Sequence, residues 1–314
     1  MSDPILGVLF AALATTAWAA GAVFARIGMQ HVGSATGTFI SLSAGFLTIS
    51  AVALGIDWRA LLAVSQSTIL WFLLLGVIQF PGGRFLNYTG IRLAGVARVT
   101  TISGTSPLFA ACLAILFLQE QVTPWILLGT LAVAGGLALV MSARRALGDS
   151  AGTTHPTETQ QSRRNRPRRT VLLGLLCATG AAAAYGAAHA IARHVVTSAA
   201  PAPVTATYTL FFGMLMLFAI SARHLRRDLK APRSALIMMA LAGVCSSLGI
   251  FFMYTALSRA PVTLASPIVA AYPLIAMMLT HIFLRRLERV TARMVWGAVL
   301  VAIGITFVIL GRAG

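Results

Sequence analysis

Residues 88–140, YTGIRLAGVARVTTISGTSPLFAACLAILFLQEQVTPWILLGTLAVAGGLALV, return at 254–308 as YTALSRAPVTLASPIVAAYPLIAMMLTHIFLRRLERVTARMVWGAVLVAIGITFV. At an offset of 166, Tyr88-Thr89 meets Tyr254-Thr255, and Ala94, Val96, Ile102, Pro107 and Leu108 meet identical partners. Two extra residues within Arg285-Arg286-Leu287 move the offset to 168, where Glu120-x-Val122-Thr123 meets Glu288-x-Val290-Thr291 and Gly129 and Gly136 meet Gly297 and Gly304. Upstream, at 167, Gly7, Ala11, Ala14, Ala25 and Arg26 meet Gly174, Ala178, Ala181, Ala192 and Arg193, with Trp18 opposite Tyr185. Apolar segments resemble one another by composition, so the alanines weigh little. The paired Tyr-Thr, Pro, Glu-x-Val-Thr and glycines carry the reading of an internal duplication.

Both copies are apolar throughout. Of the 314 residues 58% are hydrophobic and 10% charged, against roughly 25% charged in an ordinary soluble domain, which excludes a water-soluble fold. Ten stretches of 18 or more residues poor in charge occur, at 4–24, 35–56, 67–88, 96–118, 124–142, 171–192, 203–221, 234–256, 263–284 and 294–311. Only Arg84 and Arg98 are charged within them, and all seven acids fall outside, as the cost of a charge in hydrocarbon demands. The expected fold is all-α: a polytopic membrane protein of ten transmembrane helices. The first run lacks a basic leader and reads as a retained span. Five spans per copy is an odd number, so the second copy enters the membrane in the opposite sense, the inverted-repeat plan of alternating-access carriers. The expected division is a first repeat over 1–142, an Arg-rich linker over 143–170 and a second repeat over 171–314.

The 24 Lys and Arg against 7 Asp and Glu are unevenly placed. Loops after the odd-numbered spans carry 17 of the cations, including Arg163, Arg164, Arg166, Arg168 and Arg169; the opposite loops carry four, Arg59, Arg193, Arg259 and Arg312. The positive-inside rule then puts the linker in the cytosol and both termini outside. The linker has no aromatic for base stacking and is flanked by spans, so it reads as a tether and not as a nucleic-acid site. Cys112, Cys177 and Cys245 are an odd number without CxxC spacing, which indicates neither a disulfide framework nor a metal site.

The run from Tyr88-Thr89-Gly90-Ile91-Arg92 through Ser106-Pro107, Leu118-Gln119-Glu120-Gln121-Val122-Thr123 and Gly129 to Gly136, with its second copy from Tyr254 to Gly304, resembles the EamA-type domain of the drug/metabolite transporter superfamily. The resemblance covers the whole chain apart from the linker. It implies a ten-helix inner-membrane carrier, often an exporter of amino acids, metabolites or drugs, with a central cavity lined mainly by helices 1, 3, 4, 6, 8 and 9. It also implies cytoplasmic termini, opposite to the Arg count, which we follow. Small multidrug transporters of the superfamily use a glutamate in the first helix; here that region reads Leu13-Ala14-Thr15-Thr16-Ala17-Trp18, without a carboxylate. Proton exchange by that route is not expected.

Candidate substrate-binding residues are the polar and aromatic groups inside the spans: Trp18, Gln79, Arg84, Tyr88, Tyr185, His189, Tyr254 and Tyr272. Arg84 follows Pro81-Gly82-Gly83, where the helix is expected to break and expose backbone groups to a cavity. With no acid in the bilayer, its natural partner is a substrate carboxylate; the alternative is that Arg84, about a turn from its helix end, snorkels to the head groups. His189, one turn after Tyr185, either carries a proton or is a hydrogen-bonded packing residue. Trp18 and Tyr185, equivalent in the two copies, are expected to face each other across a pseudo-twofold axis, as substrate walls or as packing. Pro107 and Pro273 are expected to kink spans 4 and 9 and serve as hinges. Glu120 and Glu288, just outside hydrocarbon, read as loop anchors or helix caps.

No phosphate loop, metal motif or nucleophile with its base appears, so no catalytic residue, cofactor or metal is expected and the protein is not read as an enzyme. The expected function is an inner-membrane secondary transporter exporting small carboxylate-bearing metabolites such as amino acids, with efflux of amphiphilic drugs as the rival. A membrane-embedded enzyme or a structural protein is the reading from another class. The expected partners are a small-molecule substrate and the lipid bilayer; nothing in the sequence requires more than a monomer.

Overall fold

Apolar side chains that lipid can solvate leave the backbone no partner but itself, so each hydrophobic stretch closes its own hydrogen bonds as a helix. The computed structural model describes residues 3–28, 31–32, 34–94, 99, 102–120, 123–150, 168–228, 231–283 and 292–311. Among them every element is helical: α1 (Asp3–Gly28), α2 (Ser34–Leu62), α3 (Gln66–Val77) continuing through a π-helical stretch (Ile78–Phe85) into α4 (Leu86–Ala94), α5 (Ser106–Leu118), α6 (Pro124–Ser150), α7 (Arg168–Ser198), α8 (Ala202–Asp228), α9 (Arg233–Arg259), α10 (Val262–Ala270), α11 (Tyr272–Phe283) and α12 (Ala292–Leu310). Six of these helices contain segments long and apolar enough to cross a membrane, and shorter apolar helices cover Ser106–Leu118, Ala202–Phe218, Val262–Ala276 and Val295–Leu310.

Many large apolar side chains point outward, although Phe72, Phe80 and Leu75 are buried, and alanines line much of the interior. Leu62, Phe117, Leu70 and Trp296 are exposed, while Ala11, Ala14, Ala178, Ala181 and Ala256 are fully buried. A soluble protein would hide the former; here lipid takes them, and the small residues let helix backbones approach.

Helices of the first half pack chiefly on helices of the second. α1 lies along α9, α2 against α8 and α9, α4 and the π stretch against α7, α5 against α7 and α10, and α6 along α12. Swapping the two copies exchanges the α1–α9 pair with the pairing of α4 and the π stretch on α7, and leaves the α2–α8 and α6–α12 pairs in place. The contacts repeat at residue level: Gly7 sits on Ala260, and its equivalent Gly174 sits on Ala94. The α6 and α12 axes run in opposite directions, because Gly129 meets Gly304 while Gly136 meets Gly297.

Local breaks have identifiable causes. Asp57 leaves helical geometry (φ −159°, ψ 94°) near the end of α2, and its Oδ1 accepts from the N–H groups of Arg59 and Ala60 at 3.0 and 3.2 Å, restarting the helix as a cap does. Ser65 caps α3 by accepting from Thr68 N–H. The composition places the linker at 143–170, but α6 continues to Ser150 and α7 begins at Arg168; residues 151–167 lie outside the described set.

Pro107 and Pro273 differ from the expected mid-helix kinks. Each is the second residue of a helix, α5 and α11, where a missing N–H costs nothing. The interruptions precede them: a turn at 104–105 before α5 and Ala271 before α11.

Candidate functional site

The π-helical stretch is where the membrane interior becomes polar. Pro81 has no N–H to give and its ring blocks the regular bond to the preceding turn, while Gly82 and Gly83 resist helix least when it is distorted. Such π turns inside α-helices recur at functional sites. Arg84 follows at once, half-buried, its guanidinium 5.4 Å from the centroid of the Phe80 ring, a cation–π arrangement. The helix runs on to Ala94, ten residues beyond, so Arg84 lies about 15 Å from the helix end. The helix end is thus several turns beyond Arg84 and not the single turn expected, although the apolar segment itself ends at Phe85.

Arg84 lines a crevice with Ser41, Leu42 and Gly45 of α2, Phe80, Leu210 of α8, and Gly243, Ser246, Ser247 and Ile250 of α9. No carboxylate is among these residues. The interior holds about 10 Å³, room for roughly one water, so any larger solute requires the helices to separate. Close packing builds the walls: Gly243 rests on the Ser41 carbonyl, and a Cβ on Gly45 would lie 2.9 Å from that of Ser247. The crevice is lined by α2, the π stretch, α8 and α9, which lie in the second, third, seventh and eighth apolar stretches; the third and eighth are among those the resemblance implied.

Of the sequence candidates whose side chains are described, only Arg84 lines this crevice. Trp18 reaches its outer wall: the indole N–H donates to the Ser246 carbonyl at 2.9 Å, and the ring covers Gly249. Tyr185 lies against Gly83, the residue before Arg84. Trp18 and Tyr185 thus each pack on a glycine of the other half, and Gly83 and Gly249 are themselves equivalent in the repeat. Gln79 is half-buried in the π stretch. His189 is buried on α7 with Nδ1 3.4 Å from Ser266 Oγ of α10. Tyr254 is buried in α9 beside Thr209, without a hydrogen bond of ordinary geometry among the described residues. Tyr272 is 43% exposed at the head of α11. The side chains of Tyr88 and Pro273 fall outside the described set. Ser41, Ser246 and Ser247 went unnoticed in the sequence; their signal was a run of small and polar residues, Gly243-Val244-Cys245-Ser246-Ser247, within an apolar helix.

Glu120 caps a helix. Its carboxylate accepts hydrogen bonds from the N–H groups of Val262 and Thr263 at 2.9 and 3.1 Å and from Thr263 Oγ1 at 2.9 Å. Glu288 lies outside the described residues. Among the described residues no three His, Cys, Asp or Glu side chains come together as a metal site.

A bundle of long apolar helices that exposes many large side chains and pairs across two copies defines a multi-pass membrane protein. The family model for EamA-like transporters matches residues 5–142 and 172–310, and the chain belongs to that family. A solved crystal structure superposes with a TM-score of 0.76 over 98% of both chains at 16% identity, which shows a shared fold. No curated protein sequence matches.

Proposed function

We propose that this transporter is a ten-span secondary carrier built from two inverted copies, exporting a small carboxylate-bearing metabolite, such as an amino acid, across the inner membrane by alternating access. The antiparallel crossing of the equivalent helices α6 and α12, and the reciprocal Gly7–Ala260 and Gly174–Ala94 contacts, support the inverted plan. The observation that carries the substrate class is Arg84. It is a half-buried cation lining a crevice with three serines and no acid, an arrangement that suits a substrate carboxylate as counter-ion. Without a nucleotide-binding loop, transport would draw on a gradient or run passively. His189 and Ser266 form a second polar pair, between α7 and α10.

Uptake of radiolabelled amino and hydroxy acids into inside-out vesicles tests the reading. Arg84→Ala is expected to abolish uptake while the purified variant keeps its melting temperature, and Arg84→Lys to retain a fraction, since an ammonium keeps charge without the bidentate fork. Unchanged uptake in Arg84→Ala removes Arg84 from the site; transport confined to amphiphilic cations replaces the substrate class.

A further inference from the structure

The chain reverses direction after α5 through Gln119, which adopts the left-handed conformation (φ 52°) and is the only non-glycine residue with positive φ among those described. The turn carries Glu120 away from its own half. Its half-buried carboxylate lands on the first turn of α10, 142 and 143 residues along the chain, and takes three hydrogen bonds there. A carboxylate at this position satisfies orphan amides and meets the positive end of the helix dipole, so the contact is charge-assisted and joins the two copies.

The helix it holds is a short, separate piece of the bundle. α10 has nine residues, between Pro261 in an extended conformation (φ −56°, ψ 153°) and the turn at Ala271 (φ −74°, ψ −3°). The extended backbone at Pro261 and the turn at Ala271 set α10 apart from α9 and α11 as a separate short segment, and its residues from Val262 to Val269 are buried in the bundle. Other ties join distant parts of the chain around the same end of the bundle: Thr123 Oγ1 donates to the Gly311 carbonyl at 2.9 Å, the Tyr208 hydroxyl to the Leu61 carbonyl at 2.9 Å, and the Arg193 guanidinium to the Leu257 carbonyl. One turn further into the bundle, α10 carries Ser266, the buried partner of His189. This is the cation-poor end of the helices.

We propose that Glu120 is the latch of a gate: by capping α10 it holds the cation-poor end shut in this conformation, and its release lets α10 swing and opens the path toward His189 and Ser266 from that face. The proposal rests on the transport reading and names the device that would alternate access in it.

The test uses full-length protein in nanodiscs, with Cys112, Cys177 and Cys245 replaced and Ser266→Cys as reporter, and follows its modification by a charged thiol reagent. Glu120→Ala is expected to raise the rate about tenfold, the order expected for losing a charge-assisted interaction. Thr263→Val, which removes one of the three bonds and keeps the shape, is expected to give a smaller rise in the same direction. Should Glu120→Ala fail to fold, Glu120→Gln and Thr263→Val carry the measurement. Rates equal to the parent in all folded variants overturn the latch. A second arm pairs Glu120→Cys with Thr263→Cys: the oxidised disulfide is expected to block transport and reduction to restore it, and full-rate transport by the cross-linked protein overturns the proposal. If the reporter responds to Glu120 while no solute is moved by any form, the latch stands and the transport reading fails.

Discussion

Gly129 and Gly304 bring the backbones of α6 and α12 into direct contact: a Cβ on Gly129 would sit 2.5 Å from the Gly304 carbonyl oxygen, and one on Gly304 would sit 2.7 Å from that of Gly129. Neither obstacle is a flexible side chain, so only a shift of a whole helix accommodates an added methyl group. Gly304→Ala is therefore expected to destabilise by about 1–3 kcal/mol, read as a lowered melting temperature in detergent. Gly135→Ala, whose Cβ would have 4.0 Å to Leu300, is the control expected to be neutral.

Gly83 is occupied from outside by the Tyr185 ring, which a Cβ would meet at close range. Gly83→Ala is expected to cost about 1–3 kcal/mol alone and distinctly less in a Tyr185→Ala background. A double-mutant cycle on thermal stability is expected to return a coupling of about 0.5–3 kcal/mol; additive effects would separate the two residues.

His189 is buried and spends Nδ1 on Ser266, which fits a structural hydrogen bond better than a proton carrier. His189→Gln is expected to leave the shape of the transport profile between about pH 5 and 8 unchanged while lowering stability by about 0.5–1.5 kcal/mol. A flattened profile in the variant, measured in proteoliposomes with clamped internal pH, would return His189 to proton coupling.

The distribution of cations bears on sidedness. A single cysteine at Thr153→Cys is expected to react with an impermeant thiol reagent only from the cytosolic face. Labelling from the opposite face of intact cells would reverse the orientation and with it the face that the Glu120 contact closes.

Legibility in the sequence followed the range of the forces involved. The described helices overlap all ten apolar stretches, because burial in lipid and backbone self-satisfaction act within one segment. Ends were less legible: α2 runs past the expected 56 through a capped break at Asp57, and the helix carrying Arg84 runs to Ala94. Apolar composition stops marking a helix once it leaves hydrocarbon, whereas backbone hydrogen bonding continues. Pro107 and Pro273 marked the right places but not the right geometry, since proline indicates a discontinuity without saying whether it lies inside a helix or at its first turn.

By itself the sequence determined that this is a membrane-embedded helical protein made of two related copies and a member of the EamA-like transporter family, for hydropathy and self-similarity are properties of the linear chain. Tertiary structure alone decided that Ser41, Ser246 and Ser247 gather around Arg84, that the Trp18 N–H is taken by the Ser246 carbonyl, and that Glu120 finishes a helix in the other half. Each of those contacts joins residues far apart in the chain across packed glycine and alanine faces. Which faces meet depends on how helix surfaces interlock, a property that no periodicity within a single segment records.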